Sequence, residues 1–204
     1  MKTIVYLMRH SIPFKEHQGI NDVAESILFS NIKTPLSVEG EKLAEEISNY
    51  KEFENLDAIW TSNYVRAIST AKYFAYKNNL KVNMSDKLGE RKHGITSWNE
   101  LPSNFEVHQF EDENYKIGTG ENQKEVRNRL HATLLDIIDT NPGKRILIVG
   151  HSTAFAYLLG KWCEISYDSD YKFKGKVFFD GKWNYCQTFK LEFEDNKLIS
   201  IKTI

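Results

Sequence analysis

The chain has 204 residues, of which 41% are hydrophobic and 27% charged, and its formal net charge is −1. This composition is that of a folded globular chain and excludes extensive disorder, and the small net charge gives no general attraction to nucleic acid or to anionic membranes. Cys163 and Cys186 form no CxxC pair, so we expect reduced thiols and neither a disulfide scaffold nor a zinc ribbon. The length suits one domain, which we expect to cover residues 1–204.

The apolar segments are too short for a membrane protein. The apolar run at 3–8 is shorter than a signal peptide requires, and no segment approaches the ~20 apolar residues of a membrane span. We therefore expect a cytoplasmic protein with neither a membrane nor a nucleic acid as a partner. The sequence does not indicate the oligomeric state.

Short apolar runs alternate along the chain with segments of helical period. Strands are predicted at 3–8, 56–61, 80–84 and 145–150, with at least two more in the tail around turns at 180–181 and 195–196. Helices are predicted at 37–50, 63–77, 123–139 and 152–163. Ser37 and Ser62 are the predicted N-caps of the first two helices. The apolar side of the first helix is predicted to consist of Leu43, Ile47 and Tyr50.

This alternation predicts an α/β fold, a three-layer α/β/α domain with a mostly parallel central sheet. Two segments lack a clear period. Residues 12–35 are interpreted as a loop with one short helix, and residues 95–120 as an excursion over the active site. The excursion contains Trp98, Phe105 and Phe110, which either line a pocket or fill a core.

Polar groups follow three of the predicted strands. Arg9, His10 and Ser11 come after the first, the segment from Ser62 to Arg66 after the second, and His151 with Ser152 after the third. The carboxyl ends of parallel strands meet at one edge of a sheet, which is where such sheets bind ligands. Guanidinium groups and helix N-termini both bind phosphate oxygens. Each group alone has a simpler explanation on the protein surface, but together they predict an anion site that contains imidazole.

Five segments within residues 4–159 resemble, in order, the signature segments of one family, and they are 7–10, 34–40, 61–71, 88–94 and 149–152. The first is similar to an Arg-His-Gly strand end, the second to PLT-x-x-G and the third to SS-x-x-x-RA-x-x-TA. The fourth is similar to L-x-ER-x-x-G, and the fifth to the turn that holds a second catalytic histidine. The family is the histidine phosphatase superfamily, also called phosphoglycerate mutase-like.

The resemblance implies a fold and a catalytic mechanism. It implies a phosphoglycerate mutase-like fold in which His10 attacks phosphorus and carries the phosphoryl group. Arg9, Arg66 and His151 would form the phosphate pocket, with His151 also catalytic. Glu90 would donate a proton to the leaving oxygen. The two guanidiniums and His151 would take the place of a metal ion, so no metal and no cofactor is expected.

Departures from the family pattern bear on the choice of reaction. Ser11 stands at the usual Gly position, where a positive φ would make serine costly, although its hydroxyl could also contact phosphate. Residues 12–14 do not reproduce the pattern of the mutases, whereas Arg91 resembles their substrate-binding arginine. We expect a phosphatase acting on small phosphorylated metabolites, with a phosphomutase or a catalytically weak phospho-ligand binding protein as alternatives. Ser11, Arg91 and Ser152 are candidate substrate contacts.

Other hydrolase motifs are incomplete. Gly150-His151-Ser152-Thr153-Ala154 is similar to the nucleophile elbow of serine hydrolases, but no histidine follows Ser152 to serve as the base. A cysteine phosphatase needs an arginine soon after its cysteine, and none follows Cys163. Asp168 and Asp170 have the spacing of aspartyl-phosphate phosphatases but do not end an apolar strand, so we interpret them as a solvated loop. Neither GxxxxGK[ST] nor HExxH occurs.

Overall fold

The computed structural model of the chain describes residues 1–14 and 27–204. Its strands are β1 Lys2–Arg9, β2 Ala58–Thr61, β3 Val82–Met84, β4 Arg145–Gly150, β5 Glu164–Ile165, β6 Tyr171–Phe173, β7 Lys176–Phe179, β8 Thr188–Glu194 and β9 Lys197–Thr203. The α-helices in this part of the chain are α1 Ile27–Lys33, α2 Val38–Ser48, α3 Val65–Asn78, α4 Phe105–Glu111, α5 Gln123–Asp139 and α6 Ser152–Leu159. Short 3-10 helices lie at Lys51–Phe53, Asp86–Leu88 and Trp98–Glu100.

The main sheet has six strands in the order β3-β2-β4-β1-β8-β9. The first four are mutually parallel, while β8 is antiparallel to β1 and β9 is antiparallel to β8. A second sheet, β5-β6-β7, is antiparallel. The predicted α/β fold with a mostly parallel central sheet is confirmed.

Successive residues of β1 are buried on opposite faces of this sheet. Val5 and Leu7 belong to a core that includes apolar residues of α5 and α6. Tyr6 and Met8 belong to a second core that includes the apolar side of α3. Burial on both faces explains why β1 is a continuous apolar run without polar alternation. It also makes the fold three-layered, as the sequence predicted.

The register of the parallel strands places three chain segments at one edge of the sheet. Arg9 at the end of β1 is opposite Gly150 at the end of β4, and Thr61 at the end of β2 is opposite Val149. The backbone N–H of His10 donates to the carbonyl of Gly150 at 2.9 Å. The residues that follow β1, β2 and β4 therefore meet, as expected for carboxyl ends of parallel strands.

The predicted N-cap of helix α2 is confirmed, but the residues on its buried side differ from those predicted. The Ser37 hydroxyl accepts a hydrogen bond from the N–H of Gly40 and is the N-cap. The prediction that Tyr50 belongs to the apolar side was wrong, because Tyr50 lies beyond the helix end and is 48% exposed. The buried side consists of the small residues Gly40, Ala44 and Ser48. Small residues four apart allow a close approach of the helix backbone, which an apolar period does not reveal.

Two predicted helix boundaries need correction. Ser62 is not the N-cap of α3, because that helix begins at Val65 after Tyr64 and has no side-chain cap. The hydroxyl of Ser62 instead contacts His151. The helix predicted at 152–163 ends at Leu159, and the following residues form turns.

The tail contains more strands than the minimum of two that the sequence indicated, whereas the short helix expected in the loop at 12–35 is present. Five strands, rather than at least two, follow α6, and the predicted turn at 195–196 joins β8 to β9. The excursion contains α4, and the loop at 12–35 contains α1, although residues 15–26 lie outside the described part. Cys163 and Cys186 are both free thiols, partly buried and buried respectively. Among the described residues, no helix is long and apolar enough to cross a membrane.

Candidate active site

Two imidazole rings face each other at the edge of the sheet. His10 follows β1 and is 6% exposed, and His151 follows β4 and is fully buried. Their ring centroids are 5.3 Å apart with an interplanar angle of 61°. The structure therefore brings together the two histidines that the sequence placed after separate strands.

Hydrogen bonds determine which nitrogen of His10 carries the proton. Nδ1 lies 2.7 Å from the carbonyl oxygen of Ser11, and a carbonyl can only accept, so Nδ1 is the donor. Nε2 accepts from Nε of Arg66 at 3.0 Å, so it carries no hydrogen and its lone pair is directed at that N–H. Burial, then the charges of Arg66 and Arg9, lower the pKa of His10 to about 3. His10 is thus a neutral imidazole whose Nε2 is available as a nucleophile.

His151 is the opposite tautomer. Its Nδ1 lies 3.3 Å from Nη2 of Arg66, and because a guanidinium can only donate, Nδ1 is an acceptor. Nε2 then carries the hydrogen and donates to the Ser62 hydroxyl at 2.8 Å. Burial, followed by the charge of Arg66, lowers the pKa of His151 well below its usual value. The residue is therefore a neutral imidazole in this state.

Arg66 connects both imidazoles. It lies in the first turn of α3, is 6% exposed, and donates a third hydrogen bond from Nη1 to the carbonyl of Asn31 at 2.5 Å. Its guanidinium carbon lies 4.7 Å from the ring centroid of Tyr64. Desolvation lowers the pKa of Arg66 from its usual high value, but a guanidinium keeps its charge at neutral pH. The site therefore holds a buried positive charge beside Nε2 of His10.

Arg9 supplies a second guanidinium next to His10. Its guanidinium carbon lies 4.2 Å from the ring centroid of Tyr185, and Nη1 donates to the carbonyl of Trp183. Nε is buried and has no hydrogen-bond partner among the described residues. A buried N–H without an acceptor is costly in a folded protein, so it marks a place where an anionic ligand would be stabilised.

Glu90 is fixed at the N-terminus of α6. Its Oε1 accepts hydrogen bonds from the backbone N–H of Arg91 at 2.9 Å and of Ala154 at 2.8 Å. Ala154 is the third residue of α6, three positions after His151. Both bonds go to one oxygen, which leaves Oε2 as the oxygen that can face a substrate.

Ser11 holds the backbone next to His10. It is fully buried, its hydroxyl donates to the carbonyl of Gly40 at 2.7 Å, and its N–H donates to Thr70 Oγ1 at 2.9 Å. Its φ is not positive, so serine carries no backbone penalty at the family's glycine position. These contacts favour a structural role for Ser11 over the substrate contact expected from the sequence.

Arg91 and Ser152 line a cavity of about 480 Å³ between α4, α6 and the β5–β6 segment. Arg91 is 5% exposed, and its Nη2 donates to Glu106 Oε1 at 2.7 Å and lies 3.1 Å from His93 Nε2. Of the three aromatic residues of the excursion, Phe110 lines this cavity, Phe105 is core, and Trp98 is 54% exposed. Of these three aromatic side chains, one therefore lines a pocket, one fills a core and the third is exposed at the surface.

Sequence reasoning missed four groups of the site. They are the Ser62 hydroxyl, the ring of Tyr185 and the backbone carbonyls of Asn31 and Trp183. Backbone carbonyls have no sequence signal, and Tyr185 lies in an aromatic tail without periodicity. Ser62 was noticed, but its position before a helix suggested a cap. Among the described residues, no group of three or more histidines, cysteines and carboxylates is placed to hold a metal ion.

Known proteins match most of the chain. The family model described as histidine phosphatase superfamily (branch 1) matches residues 5–198. A protein named probable phosphoglycerate mutase, from Cronobacter sakazakii, is 28% identical over 166 residues, which are 76% of this chain and 72% of the relative.

Solved structures show the same fold at low sequence identity. The mycobacterial glucosyl-3-phosphoglycerate phosphatase aligns with a TM-score of 0.69 at 15% identity, covering 100% of this chain and 97% of that one. A phosphoserine phosphatase mutant from Entamoeba histolytica aligns with a TM-score of 0.66 at 19% identity, covering 98% and 96%.

Proposed function

Since the chain belongs to the histidine phosphatase superfamily, we propose that it is a cytoplasmic phosphatase that hydrolyses small phosphorylated metabolites through a phosphohistidine at His10. One observation carries the proposal. The Ser11 carbonyl fixes the proton of His10 on Nδ1, and Nε2 points at the buried guanidinium of Arg66. A neutral, oriented imidazole beside a fixed positive charge is suited to attack phosphorus in a phosphate monoester.

The phosphate pocket provides the charge that the reaction needs. As Nε2 forms its bond to phosphorus, the transferring group spreads negative charge over its three remaining oxygens. As Nε2 bonds to phosphorus, the Arg66 N–H from which it accepted turns to those oxygens, and the guanidinium of Arg9 is the second positive charge acting on His10. These two cations, with His151 donating its Nε2–H to a phosphate oxygen in place of the Ser62 hydroxyl, would do the work of a metal ion, and we propose that the enzyme needs none.

Glu90 is proposed as the acid and then the base. The bond between phosphorus and the alcohol oxygen breaks while Glu90 gives its proton to that oxygen, which leaves as an alcohol. A water molecule then gives a proton to Glu90 and attacks the phosphohistidine, which releases inorganic phosphate and the neutral imidazole. The two backbone N–H groups at Oε1 keep the carboxyl group oriented through both steps.

A phosphomutase and a phospho-ligand binding protein are the two alternatives to a phosphatase. A phosphomutase is favoured by the relative named probable phosphoglycerate mutase and by Arg91, which follows Glu90 and is almost fully buried. A protein that binds a phosphorylated ligand and turns it over weakly would keep the same pocket. Two substrates separate the outcomes, since a mutase moves the phosphoryl group of a phosphoglycerate, a phosphatase releases inorganic phosphate from p-nitrophenyl phosphate, and a binding protein does neither at a useful rate.

The test of the mechanism is a trapped phosphoenzyme. Brief incubation with labelled substrate and quenching without acid should leave an acid-labile, alkali-stable phosphate on the peptide that contains His10. His10→Ala should abolish the label and lower turnover by a factor on the order of 10⁴ or more. His108→Ala, at an exposed position of α4, should retain both. Label that persists in His10→Ala contradicts the mechanism.

The same assay tests independence from metals. Turnover of p-nitrophenyl phosphate should survive excess EDTA, and vanadate, which forms a five-coordinate adduct with imidazole, should inhibit it. Activity that is lost on chelation and restored by a divalent metal would show that the positive charges of Arg9 and Arg66 are not sufficient.

A further inference from the structure

The cavity of about 480 Å³ lies next to the proposed acid but contains none of the phosphate pocket's side chains. Ser152 and Thr153, the first two residues of α6, form part of its wall. The next residue, Ala154, donates to Glu90 Oε1, and Arg91 follows Glu90 in the chain. An alcohol whose oxygen is at Glu90 therefore has its remaining atoms at the entrance of this cavity.

Five aromatic side chains line the cavity. Phe110, Tyr157, Tyr167, Tyr171 and Trp183 contribute rings to the lining. Phe110 and Tyr167 form a pair with ring centroids 5.4 Å apart, and Tyr167 is 42% exposed, which places this pair at the solvent side. Aromatic walls bind a planar ring by stacking and edge contacts in addition to burying its apolar area.

The charges of the cavity do not favour a second anionic group. Two arginines and two carboxylates line it, so its formal charge is zero. The arginines are already paired, Arg91 with Glu106 at 2.7 Å and Arg127 with Glu113 at 3.0 Å. A second phosphate would have to displace these pairs and would lie close to the carboxylates of Glu106 and Asp168.

We propose that this cavity binds the alcohol part of the substrate and selects phosphomonoesters whose alcohol carries an uncharged planar ring. The inference rests on the proposed phosphatase function and specifies its substrate class. The size of the cavity agrees with it, since sites for ring-containing ligands are typically ~300–1,000 Å³.

Binding of phosphonates tests the cavity without requiring turnover. We expect 2-phenylethylphosphonate to bind the wild-type protein about tenfold or more tightly than ethylphosphonate, as measured by calorimetry, because the ring leaves water. Phe110→Ala and Tyr167→Ala should remove most of this difference while leaving the affinity for ethylphosphonate unchanged. Tyr76→Ala, at a 91% exposed tyrosine on α3, is the matched control and should behave as wild type.

Kinetics then distinguish failure of the cavity from failure of the phosphatase. 2-Phenylethyl phosphate and ethyl phosphate release alkoxides of similar basicity, so the ratio of their kcat/KM values reports the cavity. Equal affinities for the two phosphonates in wild type, or a ring preference that survives both aromatic variants, would overturn the cavity proposal. A ring preference in binding without turnover or label at His10 would instead overturn the phosphatase and leave the cavity as a binding site. No binding of either phosphonate would overturn both.

Discussion

The hydrogen bonds that hold Glu90 in place do not involve the proton that it is proposed to donate. Oε1 accepts two backbone N–H groups, and a glutamine in its place can accept the same two bonds. Glu90→Gln should therefore fold normally and lose only the proton. For an alkyl phosphate, whose alkoxide leaves poorly, we expect the phosphorylation step to slow by ~10²–10⁴. For p-nitrophenyl phosphate, whose leaving anion is stable, the same step should slow much less.

The comparison requires single-turnover phosphorylation rates, because Glu90 is also the proposed base in the second step. For each substrate, the phosphorylation rate of wild type divided by that of Glu90→Gln gives one factor. The ratio of the two substrates' rates in the wild-type protein is the internal control. If both substrates lose the same factor, Glu90 orients α6 or the phosphate instead. The proton donor would then be sought elsewhere, with His93 as the first candidate.

The residues that carry chemistry were the most accessible to sequence analysis. His10, Arg66 and His151 each follow a recognisable apolar strand, and the carboxyl ends of parallel strands lie at one edge of a sheet, so the sequence predicts that they meet. The serines were not predictable in the same way. Whether Ser11 and Ser62 face a ligand, a helix end or a neighbouring side chain depends on packing between elements distant in sequence.

Helix α2 is packed against the backbone that follows His10. A Cβ on Gly40 would lie 2.1 Å from the carbonyl oxygen of Ile12, which also accepts from the N–H of Ser37 at 3.0 Å. The carbonyl of Gly40 accepts from Ser11 at 2.7 Å. An added methyl group must therefore separate α2 from the segment that orients His10.

We expect Gly40→Ala to lower the free energy of unfolding by about 1–3 kcal/mol, the usual cost of overpacking, and to reduce phosphorylation of His10. Urea unfolding and the yield of trapped phosphoenzyme measure the two effects. Lys42→Ala, on the exposed side of the same helix, is the control and should change neither. A fully stable and active Gly40→Ala would mean that α2 can shift without cost to the site.

Long periodic elements were predicted better than short ones. The helix and strand predicted at 123–139 and 145–150 agree with α5 and β4 to the residue. The two- to four-residue strands β5, β6 and β7 were not individually predicted, because so short a segment has no measurable period. The side of α2 on which Gly40, Ala44 and Ser48 are buried was missed because hydrophobic pattern does not detect small residues.

The whole molecule holds several histidines in a neutral form. Burial is the main cause of the lowered pKa of His10, to about 3, of His93, to about 4, and of His151. In the unfolded chain these groups bind protons near pH 6.5, so below that pH the unfolded state binds more protons than the folded state. Their contribution to stability is therefore complete above pH 6.5 and is lost as the pH falls toward the folded-state values.

His10→Asn should make the protein less sensitive to acid. Each such histidine costs about 1.4 kcal/mol per pH unit below 6.5, so the stability advantage of the variant should grow by about 2 kcal/mol between pH 7 and pH 5. Urea unfolding at the two pH values, in a buffer without phosphate or other tetrahedral oxyanions, measures it. His108→Asn, exposed on α4, should follow the wild-type curve. Parallel curves for wild type and His10→Asn would show that His10 takes up its proton without unfolding.

The position of β1 in the sheet has a consequence for biosynthesis. This strand is translated first among those of the main sheet, yet both of its neighbours, β4 and β8, come more than 130 residues later. While the ribosome makes the intervening chain, β1 has no strand to pair with, and the histidine at its end has neither Arg66 nor His151 in place. The arrangement of His10, Arg66 and His151 is therefore completed late, when β4 and β8 pair with a strand that was made long before them.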